Sequence, residues 1–141
     1  MKRETQCPVS VSLLKEQPNS LIVANNLASL LADHRTDKAS LDRANSLAII
    51  LTKSEVPQFK DTLGWVAYQR GDYVSAVSLL RDAATKLPNH PMVRYHLGMS
   101  YLASGQDASA SEEFNKAREL APNDAGLKAK IDAALKSSKK G

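Results

Sequence analysis

One period governs this chain: residues recur at intervals of 34. Leu63-Gly64 returns as Leu97-Gly98, Gly71 as Gly105, Ala76 as Ala110, Leu80 as Phe114, Ala83 as Ala117 and Pro88 as Pro122. Self-similarity at a fixed spacing of this size means that each unit is one small supersecondary motif, which buries its apolar face against copies of itself. The architecture is therefore a stack of like units, and the content of one unit decides the fold.

Within a unit the apolar residues fall at helical spacing in two blocks, Leu63, Val66 and Ala67, then Ala76, Val77, Leu80, Ala83, Ala84 and Leu87. Gly71-Asp72 stands between them. Glycine can take the left-handed conformation that closes one helix, and aspartate can cap the next, so each unit is a helical hairpin. Gly64 and Ala76, like Gly98 and Ala110, are small where bulk would push the two helices beyond the roughly 8–10 Å of close packing. Pro88 and Pro122 cannot continue a helix interior and stop the second helix, after which Asn89-His90-Pro91 and Asn123-Asp124 offer caps for the next. A composition 43% hydrophobic but only 5% aromatic, rich in Ala, Leu, Ser and Lys, suits helices better than sheets.

A looser unit precedes these two. Asn26-Leu27-Ala28 takes the place of Thr62-Leu63-Gly64, and Ala44, Leu47, Ala48 and Leu51 supply a second helix. The interval from Leu27 to Leu63 is slightly longer than the period, the excess falling in a polar turn through Arg35-Thr36-Asp37-Lys38, where insertions cost little. Pro18 precedes Leu27 by nine residues, as Pro88 precedes Leu97, so Val11, Leu13 and Leu14 read as the second helix of a repeat whose first helix is missing, and the chain as a piece of a longer array. After Pro122 a last helix carries Leu127, Ile131, Ala134 and Leu135 on one face. The expected plan is a partial repeat over 1–19, a degenerate repeat over 20–56, full repeats over 57–90 and 91–122, a capping helix over 123–136 and a disordered tail over 137–141. The fold class is all-α.

The net charge of +4 dissolves when divided along the chain. Residues 57–122 carry seven Lys/Arg and seven Asp/Glu, and residues 23–56 four of each, so the excess lies at the ends. A basic tail of this kind is a solvated end, and binding of nucleic acid or an anionic surface is a remote alternative. The single cysteine, Cys7, excludes an internal disulfide and a cysteine zinc site. No run approaches the roughly 20 apolar residues that span a bilayer, and the segment after Met1 has no apolar signal core, so the chain as given is expected to be soluble.

Leu-Gly, Gly-Asp-Tyr, Ala, Leu or Phe, Ala and Pro at this period resemble the tetratricopeptide repeat family, most closely over residues 57–122. The sequence departs from that pattern where Lys60 and Arg94 stand at a tryptophan-favoured position and where Ala67 replaces the tyrosine kept as Tyr101. The resemblance implies hairpins stacked into a short right-handed solenoid whose first helices line a concave groove, where a protein or peptide segment binds. It places Asn25, Ser29, Ala32 and Asp33, then Asp61, Trp65, Tyr68 and Gln69, then Tyr95, Met99, Leu102 and Ala103 on that groove. Asn26 joins them at the head of a groove helix. These positions hold the only tryptophan and two of the four tyrosines, the residue types that interaction hot spots use. A clamp for a terminal carboxylate would need paired basic residues; Asp61-Thr62 and Tyr95-His96 stand there instead.

The strings Asn25-Asn26-Leu27-Ala28, Asp61-Thr62-Leu63-Gly64-Trp65 and Arg94-Tyr95-His96-Leu97-Gly98-Met99 are further similar to C-terminal repeats of bacterial arrays associated with exopolysaccharide export and exosortase sorting. That similarity implies an envelope-associated assembly and a periplasmic chain, whereas the residues by themselves leave cytoplasm and periplasm both open. Enzymatic chemistry is not expected. His34, His90 and His96 show no metal-ligand spacing, no serine sits in a nucleophile setting, and no glycine-rich phosphate loop exists, so no cofactor or metal is called for. The alternative to peptide binding is self-association into a homo-oligomer through the groove or an exposed end of the stack.

Overall fold

The computed structural model describes residues 18–140. Val11, Leu13, Leu14 and Cys7, with the partial repeat expected there, lie outside the described residues. Among the described residues seven helices follow one another: α1 (Pro18–His34), α2 (Lys38–Ile49), α3 (Pro57–Gln69), α4 (Tyr73–Lys86), α5 (Pro91–Ala103), α6 (Asp107–Leu120) and α7 (Ala125–Lys140). The described residues contain no strand. They form consecutive helical hairpins, a tetratricopeptide-type solenoid.

Local chemistry sets the helix ends. Gly71 and Gly105 have φ of 88° and 79°, the left-handed region that glycine enters without cost. Beyond Gly71 the Asp72 N–H donates to the Ala67 carbonyl at 2.9 Å while Gly71 donates to Tyr68 at 3.0 Å; Gln106 and Gly105 repeat this on Tyr101 and Leu102. This paired bonding satisfies carbonyls that the helix end leaves free. Asp72 accepts from Ser75 N–H at 3.3 Å, His90 Nδ1 from Val93 N–H at 3.4 Å and Asp124 from Leu127 N–H at 2.9 Å, so the caps stand where the sequence puts them. Asp37 caps α2 in the same way, accepting from Ser40 N–H at 3.0 Å. Those hydrogen bonds, the Ser40 ones first, hold its carboxyl below the ordinary aspartate range.

The hairpins close on the small residues. A Cβ added at Gly64 would lie 2.6 Å from Leu80 Cγ, and one at Gly98 2.6 Å from Phe114 Cε1. Leu80 and Phe114, fully buried, occupy the space that glycine leaves. Between hairpins, Ala83 and Ala84 of α4 pack with Val93 and Leu97 of α5, and Leu47 and Leu51 of α2 with Phe59 of α3.

Successive first helices also touch directly, α1 with α3, α3 with α5 and α5 with α7, more extensively than successive second helices do. The array therefore curves toward the first helices, which form its inner row. Ile131, fully buried, stands one full period after Leu97, so α7 occupies the place of a fourth first helix.

Two expectations change. The last helix runs through Lys140 instead of giving way to a disordered tail at 137, because no glycine or proline interrupts the chain between Leu127 and Lys140. Pro18 opens α1 instead of standing in a turn like Pro88; a first-turn proline lacks only an N–H that would be unpaired anyway. Asn25 and Asn26 consequently lie inside α1, not at its head.

Candidate partner-binding groove

The inner row is held by polar contacts reaching from one first helix to the next. Trp65 Nε1–H on α3 donates to Asp33 Oδ1 on α1 at 2.8 Å, and Gln69 Nε2 donates to the Ala32 carbonyl at 2.9 Å. From α3 to α5, Asp61 Oδ1 and His96 Nδ1 are 2.8 Å apart. The carboxylate accepts from Nδ1–H there, which fixes the ring's orientation and tautomer. Its other nitrogen, Nε2, is buried without a partner.

Around these bonds the rings stack. Trp65 lies 4.7 Å from Tyr68 at an interplanar angle of 4° and 4.1 Å from His96 at 21°, measured between centroids. Tyr95 tilts toward both Trp65 and Phe114 at 6.1 Å, and Tyr73 toward Tyr68 at 5.6 Å. Burial pushes the Tyr68 and Tyr95 hydroxyls above the ordinary phenol value, with neighbouring Tyr73 acting on the first, and Tyr68 and Asp33 on the second.

The groove positions divide in consequence. Trp65 is only 7% exposed, with its N–H satisfied, and Asp61 and Gln69 are likewise committed to neighbouring helices. On α1, Ser29 is half-buried, Asn26 is exposed, and Asn25 buries its Oδ1 without a partner. Tyr68, Met99 and Leu102, only partly buried, come together with Ala103 and with Tyr95, itself only 8% exposed, along one wall of a cleft of about 510 Å³. The opposite wall is α7, through Lys130, Ala133, Ala134 and Ser137. Sequence reasoning treats α7 only as a cap and misses this wall. The sequence does carry a signal for it, since Ala133 and Ser137 stand one period after Met99 and Ala103.

Hairpin geometry, a glycine-closed interface and an inner row of first helices recurring at the sequence period define the repeat, and a family model described as Tetratricopeptide repeat matches residues 67–131. Over that span the hairpins match the tetratricopeptide repeat. The chain is also 30% identical over 120 residues to the TPR repeat-containing protein PA4299 of Pseudomonas aeruginosa, a stretch covering 85% of this chain and 48% of that protein. It thus spans about half the length of this relative.

The TPR pattern's departures have structural partners. At the tryptophan-favoured position Arg94 instead reaches Glu113 of α6 at 2.8 Å and the Pro88 carbonyl at 3.1 Å, both side chains of the ion pair being largely buried. Lys60, one repeat earlier, reaches Asp82 at 3.5 Å and Glu55 at 3.7 Å, both of them exposed. A charged pair thus bridges the hairpin where an indole would fill it. Among the described residues no group of three or more His, Cys, Asp or Glu is placed to hold a metal ion, and no helix is long and apolar enough to cross a membrane.

Proposed function

We propose that this chain is a non-catalytic scaffold whose TPR groove holds a peptide or protein segment between α5 and α7. The carrying observation is the cleft itself: Tyr68, Tyr95, Met99 and Leu102 face α7 across space that no side chain of their own fills. Aromatic, methionine and leucine side chains offer a partner large apolar area, and a concave, largely apolar site with few polar groups at its edge is the form that binding sites take. Tyr68 and Tyr95 add hydroxyls that can orient a bound backbone. Trp65, Asp61 and Gln69 support the groove from behind by holding its helices in place. The similarity of the Asp61–Trp65 and Arg94–Met99 strings to repeats of exopolysaccharide-export arrays favours a periplasmic, envelope-associated assembly as the setting.

The test is selection from a phage-displayed peptide library on the full chain, followed by binding measurements on Met99→Asp, Leu102→Asp and, on the exposed face of α4, Val74→Asp. Peptides that lose at least tenfold affinity for the first two variants and none for the third support the groove. Peptides that bind all three alike place the interaction elsewhere.

A further inference from the structure

Charge is spread unevenly along α7, and the exception faces the cleft. Lys128 stands one turn from both Asp124 and Asp132, and Lys136 one turn from Asp132, the spacing at which opposite charges on a solvated helix face offset one another. Lys130 has no such neighbour: the positions one turn away hold Gly126, Leu127, Ala133 and Ala134. It lines the cleft beside Ala133, Ala134 and Ser137, and it alone among the lining residues carries a charge at neutral pH. The opposite wall offers it no counter-charge. The α5 helix contains no acidic residue, and the single acid of α3, Asp61, accepts from His96 Nδ1–H. Nearby, Glu113 of α6 is paired with Arg94 and Asp132 of α7 with Arg118.

We propose that the segment held between α5 and α7 carries an aspartate or glutamate side chain that pairs with Lys130 while its apolar residues sit on Met99 and Leu102. This rests on the groove reading above and adds the chemistry of the occupant. A lysine flanked by alanines at the edge of an apolar cleft gains a partner only from outside, and a carboxylate brought to it there is screened by less water than on an open face. The rest of the groove sets the direction. Asp33 accepts from the Trp65 indole, which stacks on Tyr68, so a negative charge stands on the α1 side. An acidic residue is repelled there and attracted at α7, which fixes which way the segment lies. The acid belongs within the segment and not at its end. The basic residues of α3 and α5 nearest the groove, Lys60 and Arg94, are turned to Asp82 and Glu113, so no second cation joins Lys130 in the paired grip that a terminal carboxylate takes.

Random phage-displayed peptides selected on the full chain, sorted by whether Met99→Asp weakens their binding and then synthesised with amidated ends, test this. Among those that need Met99, the expected result is one position enriched in Asp or Glu, whose replacement by Asn or Gln loses about fivefold in affinity, the upper range for a partly exposed ion pair. A Lys130→Glu chain should lose about tenfold, and a peptide with lysine in place of its acid should recover that loss. Lys128→Glu, on the same helix but away from the cleft, should change affinity by less than about twofold. Circular dichroism shows that each variant keeps its helices. Peptides that need Met99 but have no acidic position and bind the Lys130→Glu chain undiminished overturn this proposal and leave the groove reading standing; peptides indifferent to Met99→Asp overturn both. A dependence on Lys130 that appears only when the peptides end in a free carboxylate also overturns it, and gives the lysine to a chain terminus.

Discussion

Replacing Gly98 by alanine puts a methyl carbon 2.6 Å from Cε1 and 2.7 Å from Cδ1 of Phe114. Carbon atoms rest at about 3.5–4.0 Å, so the ring would have to retreat by roughly 1 Å. It has little room to do so, since Phe114 is fully buried and Tyr95 lies against it. Overpacking of this kind costs about 1–3 kcal/mol, and a clash with the side of a rigid ring belongs at the upper end. Alanine returns about 1 kcal/mol through its better helix propensity. The net is a loss of about 2 kcal/mol, which at an m value of about 2 kcal/mol/M lowers the urea midpoint by about 1 M. Urea titration followed by Trp65 emission and by far-ultraviolet circular dichroism reads this directly. A Gly98→Ala, Phe114→Leu double variant should recover part of the loss, with a coupling energy of about 1 kcal/mol, because the shorter side chain vacates the contested space. If Gly98→Ala is neutral or stabilising, or the two changes simply add, glycine does not set the spacing of the hairpin and that account of the repeat fails.

Glu113→Ala strands Arg94 in a largely buried site and should cost about 3 kcal/mol in the same titration, whereas Lys60→Ala, whose partners are exposed, should cost under about 1 kcal/mol. Gly71→Ala meets nothing within 4 Å but must hold φ near 88°, so about 1–2 kcal/mol of backbone strain is expected, with no neighbouring substitution able to relieve it. Tyr68 and Tyr95 have raised pKa values in the folded chain, so the unfolded chain ionises first. Their contribution is fully present below about pH 10 and is lost as pH rises through the folded values, and a Tyr68→Phe, Tyr95→Phe variant should show a flatter alkaline loss of stability. Asp61→Ala removes the acceptor for His96 Nδ1–H and should cost about 1–3 kcal/mol, and Asp61→Asn, whose carbonyl can still accept, should cost less; equal losses would mean that charge rather than the hydrogen bond holds α3 to α5.

The hairpins are legible in the sequence because their determinants are local. Gly71, Asp72, His90, Pro91 and Asp124 act on backbone within a few residues of themselves, and Gly64 and Gly98 act on the helix just across one short turn. The groove is legible only as far as helical register reaches. Register puts Tyr68, Tyr95, Met99 and Leu102 on the inner row, and the cleft contains them. It cannot say which inner-row residues are spent on the neighbouring helix, because Trp65 with Asp33 and Asp61 with His96 lie 32 and 35 residues apart and meet only through the rotation between units. Register therefore offers Trp65 to a partner, whereas the folded chain uses it to join the stack. The α7 wall escapes sequence reasoning for the opposite reason. The period continues through Ile131, Ala133 and Ser137, but no Leu-Gly pair marks it.

The two halves of the inner row are built differently, and this bears on the proposed docking site between α5 and α7. Between α1 and α3, and between α3 and α5, the contacts include hydrogen bonds of 2.8–2.9 Å from indole, amide and imidazole groups. Such bonds weaken steeply with misalignment, so they fix the rotation of one repeat against the next. Between α5 and α7 the shared cluster is apolar, with Tyr95, Met99 and Leu102 on one side and Ala134 and Leu135 on the other. Apolar contact carries no directional demand, and methionine fills irregular space readily. Adjustment to an incoming segment therefore costs least at the α5–α7 end, while the fastened repeats behind it hold Tyr68 and Tyr95 in position. A groove whose back is pinned by hydrogen bonds, and whose mouth is lined by side chains that tolerate repacking, loses little order on binding and retains more of the contact energy as affinity.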